Sequence, residues 1–191
     1  VLSLACEKDN HEVLHALSTS APGSPLVKGV RLNIDRVGLS ANNKFYLGFG
    51  DKPPFSFFQA YPVSSQATVV NKTNNGKKIT TENLVHPPGW GIATVTESSH
   101  AEIPVGAKFR AMLPLANQVH FDDIVPKNNE SGDFSVVRPS THPAYNDFSR
   151  LPEKSIMAAV NQIEAGIALV TWPGTVTGFG LYHQLEQDHF Y

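Results

Sequence analysis

Alternating hydrophobic and polar positions predict a chain built mainly of short β-strands. In the clearest case, Val30–Val37, the side chains of Val30, Leu32 and Ile34 fall on one face and polar residues fall on the other. The remaining strand-like runs are each separated from the next by residues that favour turns. We predict them at Ala67–Lys72, Lys78–Thr81, Ile92–Glu97, Ala107–Leu113, Gln118–Phe121 and Phe134–Val137.

Two glycine-containing segments set the connections between these strands. Asn74-Asn75-Gly76 lies between two strand-like runs, and Asn-Gly adopts positive φ at little cost, so we predict a β-hairpin there. Gly89-Trp90-Gly91 is predicted to introduce the strand that starts at Ile92. The expected fold class is therefore mainly β.

The pattern changes near Leu151. Pro152–Ile163 places Ile156, Val160 and Ile163 on one helical face, and Pro152 suits the first turn of a helix. We predict a second helix over 178–187. The expected organisation is a β-barrel domain over 1–150 and a helical segment over 151–191 that packs on it, as a single structural unit.

Composition narrows the classes of function. The formal net charge of −2, from 15 basic and 17 acidic residues, argues against a nucleic-acid partner, which usually requires a basic stripe. Cys6 is the one cysteine, so no intrachain disulfide can form, and we predict a packing role for it. No apolar run has the length of a membrane span, and no leader peptide is recognisable at the start. We therefore expect a cytoplasmic protein without a membrane partner.

Several motifs occur in the order typical of one enzyme superfamily. They are the strand Val30–Val37 with the loop Gly38–Tyr46, Gly89–Gly91 followed by Ile92–Glu97, the turn and strand Ile103–Phe109, Leu151–Lys154, and Thr177–Leu185. In this order the chain resembles the GroES-like catalytic domain of medium-chain dehydrogenases/reductases. Leu39–Asn43, Phe49–Asp51 and Tyr145–Phe148 are most similar to a zinc-independent, poorly characterised branch. The resemblance implies a partly open GroES-like β-barrel with short C-terminal helices.

The departures from that superfamily concern zinc and the nucleotide. Zinc-dependent members have Cys in the first loop and His after the glycine of the second motif, where this chain has Ser40 or its neighbours and Trp90. We therefore expect no metal. Family members continue into a nucleotide-binding domain, whereas this chain stops at Tyr191. We therefore expect no cofactor in this chain, and NADPH only if the full protein has a nucleotide-binding domain.

The resemblance also implies where catalysis would occur. A zinc-free member has to polarise a carbonyl with hydrogen-bond donors. By position, Tyr46 is the best donor, Asn42 and Asn43 would orient the substrate oxygen, and the Tyr145 hydroxyl would donate to the same substrate. The structural alternatives are that the two asparagines cap a following helix and that Tyr145 anchors its loop.

Aromatic and polar neighbours form the predicted substrate-binding set. A large ring at Trp90 would close the metal position and make an apolar wall, although a core tryptophan is equally compatible with the sequence. The aromatic run after Pro54 either lines an apolar pocket or is plain core. The predicted substrate-binding residues are Trp90, Phe49, Phe55, Phe58, Asn146 and His142.

Three hypotheses of function follow. The first is a stand-alone or truncated GroES-like domain that binds an apolar carbonyl compound and acts as a cofactor-free isomerase, dehydratase or cyclase in natural-product metabolism. The second is the substrate-binding domain of a zinc-independent, NADPH-dependent enone or quinone oxidoreductase. The third is a ligand- or partner-binding module without catalysis. Apolar surface on the C-terminal helices would allow the chain to form a homo-oligomer.

Overall fold

Short strands dominate the computed structural model, which describes residues 1–20, 26–53, 55–70, 73–74, 77–127 and 131–152. In chain order the strands are β1 (Leu2–Glu7), β2 (Leu14–Ser18), β3 (Val30–Val37), β4 (Thr68–Val69), β5 (Thr73–Asn74), β6 (Lys77–Lys78), β7 (Leu84–Val85), β8 (Pro88–Ser98), β9 (Lys108–Pro114), β10 (Gln118–Phe121), β11 (Ile124–Pro126), β12 (Phe134–Val136) and β13 (Asp147–Arg150). The helices are α1 (Ala41–Phe49) and α2 (Phe57–Ala60), with short 3₁₀ turns at Thr81–Asn83 and Pro143–Tyr145.

These strands form two main sheets and one small hairpin. The larger sheet has the order β10-β3-β8-β9-β13-β12-β11 and curls into a partly open barrel, and the smaller has the order β4-β2-β1-β7. The backbone of β1 meets the turn between β9 and β10, where the Leu4 N–H donates to the Leu115 carbonyl at 2.7 Å. The protein is therefore mainly β, as the strand pattern predicted, and its larger sheet forms a partly open barrel.

The main core lies inside the seven-stranded sheet. It consists of fully buried side chains from almost every strand of that sheet, among them Leu32, Phe109, Phe134 and Phe148. Phe134 and Phe148 are adjacent across the β12–β13 pair, with stacked rings 4.6 Å apart. Burial of apolar area of this kind is the main stabilising contribution to the fold. Smaller clusters fill the space under the second sheet and around α1.

The alternating pattern located most strands of the large sheet. The predicted bounds of β3 and β10 are confirmed without change, and the runs at 107–113 and 134–137 correspond to β9 and β12 within one residue at each end. The N-terminal hairpin of β1 and β2 was not predicted. Its outer face carries exposed leucines, so its sequence lacks a clean alternation.

Two predicted strand boundaries were wrong. Gly89-Trp90-Gly91 lies inside β8, which begins at Pro88, because β3 passes close to both glycines. A Cβ at Gly91 would lie 2.6 Å from the Arg36 carbonyl oxygen. The predicted hairpin exists, but only Thr73–Asn74 and Lys77–Lys78 pair in it, while Thr68–Val69 pairs with β2.

The predicted helices over Pro152–Ile163 and 178–187, and with them the helical segment 151–191, lie outside the described residues apart from 151 and 152. Within the part of the chain that the structure describes, no helix has the length and apolar character needed to cross a bilayer.

Candidate functional site

Helix α1 places Tyr46 at the centre of the candidate site. The helix begins after Ser40, whose Oγ accepts from the Asn42 N–H at 3.3 Å, while Asn43 Oδ1 accepts from the Ser40 N–H at 2.6 Å. This reciprocal capping satisfies amide groups that the first turn leaves without helical partners. The helix ends at Gly50, where φ is +54°, a value that glycine tolerates readily. The cap at Ser40 and the turn at Gly50 fix where α1 begins and ends, and Tyr46 lies in its second turn.

The hydroxyl of Tyr46 is oriented by Trp90 of β8. Trp90 Nε1 donates a hydrogen bond to Tyr46 Oη over 3.1 Å. An indole nitrogen is only a donor, so the phenolic oxygen must be the acceptor. The phenolic proton is therefore directed away from Trp90, and Tyr46 remains able to donate it to another oxygen atom.

Six aromatic side chains surround this hydrogen bond, and we call them the aromatic cluster. Its ring centroids lie close to one another: Phe57 is 4.9 Å and Tyr145 6.1 Å from Tyr46, and Trp90 is 6.3 Å from Tyr145. Aromatic pairs at these distances attract one another beyond their burial. The members are Tyr46, Phe49, Phe55, Phe57, Trp90 and Tyr145.

Part of the aromatic cluster reaches the surface. Tyr46 itself is buried, whereas Trp90, Tyr145 and Phe49 are only partly buried. Phe45, which is 54% exposed, lies 4.4 Å from the Phe49 ring. The aromatic cluster is therefore exposed to solvent along Phe49 and Trp90.

Burial raises the pKa of both phenols of the site. Desolvation raises the pKa of Tyr46 above its ordinary value of 10.0, and the hydrogen bond from Trp90 offsets only part of that effect. Desolvation likewise raises the pKa of Tyr145. Both phenols, which are neutral near pH 7 even at their ordinary pKa, therefore remain hydrogen-bond donors to a higher pH than free tyrosine.

A short 3₁₀ turn, Pro143–Tyr145, brings two further predicted residues to the edge of the cluster. The His142 ring is 5.9 Å from Phe55 and 6.0 Å from Tyr145, and His142 Nδ1 accepts from the Ala144 N–H at 3.3 Å. In the neutral ring the proton is therefore on Nε2. The His142 imidazole is therefore in contact with the cluster.

Arg138 holds this turn in place. Its Nε donates to Asn146 Oδ1 at 2.9 Å and its Nη2 donates to the Tyr145 carbonyl at 2.6 Å. The Asn146 amide also donates to the Arg138 and Thr141 carbonyls, at 3.3 and 3.5 Å. The Asn146 side chain thus forms hydrogen bonds within its own loop, next to Tyr145.

The two adjacent asparagines differ in their surroundings. Asn43 uses its Oδ1 on Ser40 and its Nδ2 on the Pro88 carbonyl at 2.7 Å, so it joins α1 to β8. The described residues give no hydrogen bond to the Asn42 side chain. Asn43 therefore caps a helix in this structure, which is the structural alternative that the sequence offered for the two asparagines.

Phe58 lies apart from the other predicted residues. It packs with Cys6, Leu47 and Val85, and its ring centroid lies 6.2 Å from that of His11. Consecutive helical positions point about 100° apart, and Phe57 and Phe58 of α2 accordingly pack in two different clusters. The structure therefore brings eight of the ten predicted residues to one region around α1, β8 and the 3₁₀ turn, with Asn42 at its margin and Phe58 outside it.

A cleft lies outside the aromatic cluster, and the sequence did not predict it. It has a volume of about 590 Å³ and lies between the β1–β2 hairpin and β10, with Tyr61, His86 and Arg138 among its lining residues. None of the ten predicted residues lines it. Arg138 stands between two exposed residues in the sequence and follows no periodic pattern, so no sequence signal marked it.

The described residues contain no group of three His, Cys, Asp or Glu side chains arranged to hold a metal ion. Cys6 is a free, buried thiol, as its predicted packing role requires.

Fold and site together define a mainly β protein in which a helix-borne tyrosine, oriented by a tryptophan, is surrounded by aromatic rings. The chain belongs to a family described as "Protein of unknown function (DUF2855)", whose model matches residues 37–191 and so covers all ten predicted site residues. No curated protein and no solved structure matches the chain.

Proposed function

We propose that this protein binds an apolar, carbonyl-containing small molecule at the aromatic cluster and polarises its carbonyl oxygen through Tyr46. The observation that carries the proposal is the hydrogen bond from Trp90 Nε1 to Tyr46 Oη. It occupies an acceptor site of the phenol and leaves the phenolic proton for a ligand oxygen.

The surroundings of Tyr46 favour an apolar ligand. Rings of Phe49, Phe55 and Trp90 offer flat apolar surface, and Tyr145 adds a second neutral hydroxyl. A hydrogen bond made in such water-poor surroundings stabilises developing charge more strongly than one made in water. A carbonyl ligand with a planar or alicyclic body matches this combination.

The chemistry we assign is stabilisation of negative charge on a carbonyl oxygen. Isomerisation, dehydration and cyclisation of carbonyl compounds all pass through such charge and require no hydride. Tyr46 would hold the oxygen, and His142 Nε2, at the cluster edge, is the nearby group suited to proton transfer.

A pair of matched probes tests the proposal. The full chain is titrated with 2-acetylnaphthalene, a ketone, and with 2-ethylnaphthalene, which has a similar shape and no carbonyl. We expect Tyr46→Phe to weaken ketone binding by about 2- to 13-fold, the value of one net hydrogen bond, and to leave hydrocarbon binding unchanged.

Infrared spectroscopy of the carbonyl-labelled ketone supplies a readout that a merely structural role would not change. Bound to the wild-type protein, the carbonyl stretch should lie below its value in an apolar solvent, and in the Tyr46→Phe variant it should return towards that value. An unshifted stretch in the wild-type complex, or equal losses of ketone and hydrocarbon binding in the variant, would rule out Tyr46 as the donor.

A further inference from the structure

The cleft of about 590 Å³ contains a positive charge whose contacts are all with neutral groups. Arg138 donates from Nε to Asn146 Oδ1, from Nη1 to the Ala60 carbonyl and from Nη2 to the Tyr145 carbonyl. Among the described residues no carboxylate lies within ion-pair distance of it. Its charge is therefore not neutralised by an acidic side chain of the described chain.

The guanidinium has a donor to spare. An arginine carries five N–H bonds, one on Nε and two on each Nη atom. The three hydrogen bonds above use one N–H from each nitrogen, and the guanidinium also interacts with the Tyr61 hydroxyl, so at least one terminal N–H remains for a ligand. A carboxylate that reaches this N–H would accept a charge-assisted hydrogen bond, which is stronger than a bond between neutral groups.

The orientation of Arg138 is already defined. Its guanidinium carbon lies 4.8 Å from the ring centroid of Tyr61 and 5.9 Å from that of Phe121. Tyr61 is buried, and its hydroxyl donates to the Met112 carbonyl. Because the rings and three hydrogen bonds hold the group, little conformational entropy would be lost when a ligand binds to it.

The rest of the cleft combines apolar walls with a polar rim. Leu17, Val119 and Val136 supply aliphatic surface beside the two rings, while Gln59 and Gln118 lie among the polar lining residues. The volume is within the range of small-molecule sites. Two acidic residues, Asp122 and Asp123, also line the cleft, but their side chains are 70% and 63% exposed, and Asp123 is paired with Lys28.

We infer that this cleft binds a small organic carboxylate, whose carboxylate is held by Arg138 and whose apolar body packs against Tyr61 and Phe121. The site is separate from the aromatic cluster and does not depend on the function proposed for Tyr46. Arg138 connects the two, because the same side chain holds the Tyr145 turn.

Calorimetric titration of the full chain with two matched probes tests this inference. 3-Phenylpropanoate carries the carboxylate, and 3-phenylpropanamide has nearly the same shape without the charge. We expect the acid to bind at least about tenfold more tightly than the amide, the value of charge-assisted hydrogen bonds over neutral ones.

Two variants locate the binding site. Gln59→Glu is isosteric, sits at an exposed position next to Ala60, and adds a negative charge to the cleft wall. It should weaken binding of the acid by about fivefold and leave the amide unaffected. Gln66→Glu makes the same change at an exposed position that does not line the cleft, and should have no effect.

Arg138→Lys retains the charge but loses the guanidinium, and we expect it to weaken acid binding by about tenfold or more. Because this variant also removes contacts that hold the Tyr145 turn, its unfolding is measured alongside. The Gln59→Glu comparison needs no change at Arg138 and stays interpretable if Arg138→Lys does not fold. Equal affinities for acid and amide, or an acid affinity that Gln59→Glu leaves unchanged, would overturn the inference.

Discussion

Replacing Asn43 by alanine separates a structural from a catalytic role at a position that sequence reasoning placed in the active site. Its side chain caps α1 and joins it to β8: Oδ1 accepts from the Ser40 N–H at 2.6 Å, and Nδ2 donates to the Pro88 carbonyl at 2.7 Å. Alanine at position 43 removes both bonds. It leaves the start of α1 uncapped on one side and detached from β8.

The size of the effect follows from the two bonds. A net contribution of about 0.5–1.5 kcal/mol for each gives a loss of about 1–3 kcal/mol in the free energy of unfolding. For a chain of this length, about 2–4 °C per kcal/mol converts this to a fall of about 2–12 °C in Tm. Urea unfolding followed by circular dichroism and by tryptophan fluorescence measures the loss.

Asn42→Ala is the matched control. The adjacent asparagine contributes only its backbone N–H to the cap, and alanine is the better helix former. We expect its unfolding free energy to stay within about 0.5 kcal/mol of wild type or to rise slightly. If Asn43→Ala were as stable as Asn42→Ala yet lost affinity for the ketone probe, the structural interpretation of Asn43 would be wrong.

Two further predictions concern buried titratable groups. Burial lowers the pKa of His86 below 6.5, so the unfolded chain takes up this proton at a higher pH than the folded chain. Its contribution to stability is thus complete above about pH 6.5 and is lost on acidification. We expect urea unfolding to show a larger loss from about pH 7.5 to about pH 5.5 in wild type than in His86→Gln, and identical losses would contradict this. Burial raises the pKa of the Cys6 thiol to about 11. About one thiol in a thousand is then ionised near pH 8, so Ellman's reagent should react slowly with the native protein and rapidly in denaturant, whereas fast native labelling would show that the thiol is accessible.

How much of the fold could be predicted depended on how each strand is buried. β3 and β10 lie in the seven-stranded sheet, and their bounds were correct. β8 is buried over most of its length and contains glycines because β3 passes close to it, so its first residues imitate a turn. β1 and β2 were missed because their outer faces carry leucines where alternation would require polar residues. The alternation of apolar and polar residues along a strand indicates which of its faces is buried. That burial, however, depends on neighbouring segments that are distant in the sequence.

The candidate site shows the same division. Tyr46, Trp90 and Tyr145 were selected by order and residue type, and they do meet, because α1, β8 and the 3₁₀ turn converge. The catalytic role of Asn43 and the substrate-binding role of Phe58 stay predictions: the Asn43 side chain caps α1 and bonds to β8, while Phe58 packs in a separate cluster with Leu47. No sequence signal marked Arg138, whose position over Tyr61 depends on contacts across 77 positions of the chain.

The amino-acid sequence alone determined that this chain is mainly β, and it located most strands of the large sheet through their alternating residues. Tertiary structure alone decided that Trp90 donates to Tyr46, that Asn43 holds a helix against a strand, and that an arginine with a spare donor faces a cleft. The physical reason is that periodicity and side-chain chemistry are local properties, whereas hydrogen-bond partners and desolvation depend on which distant segments the fold brings together.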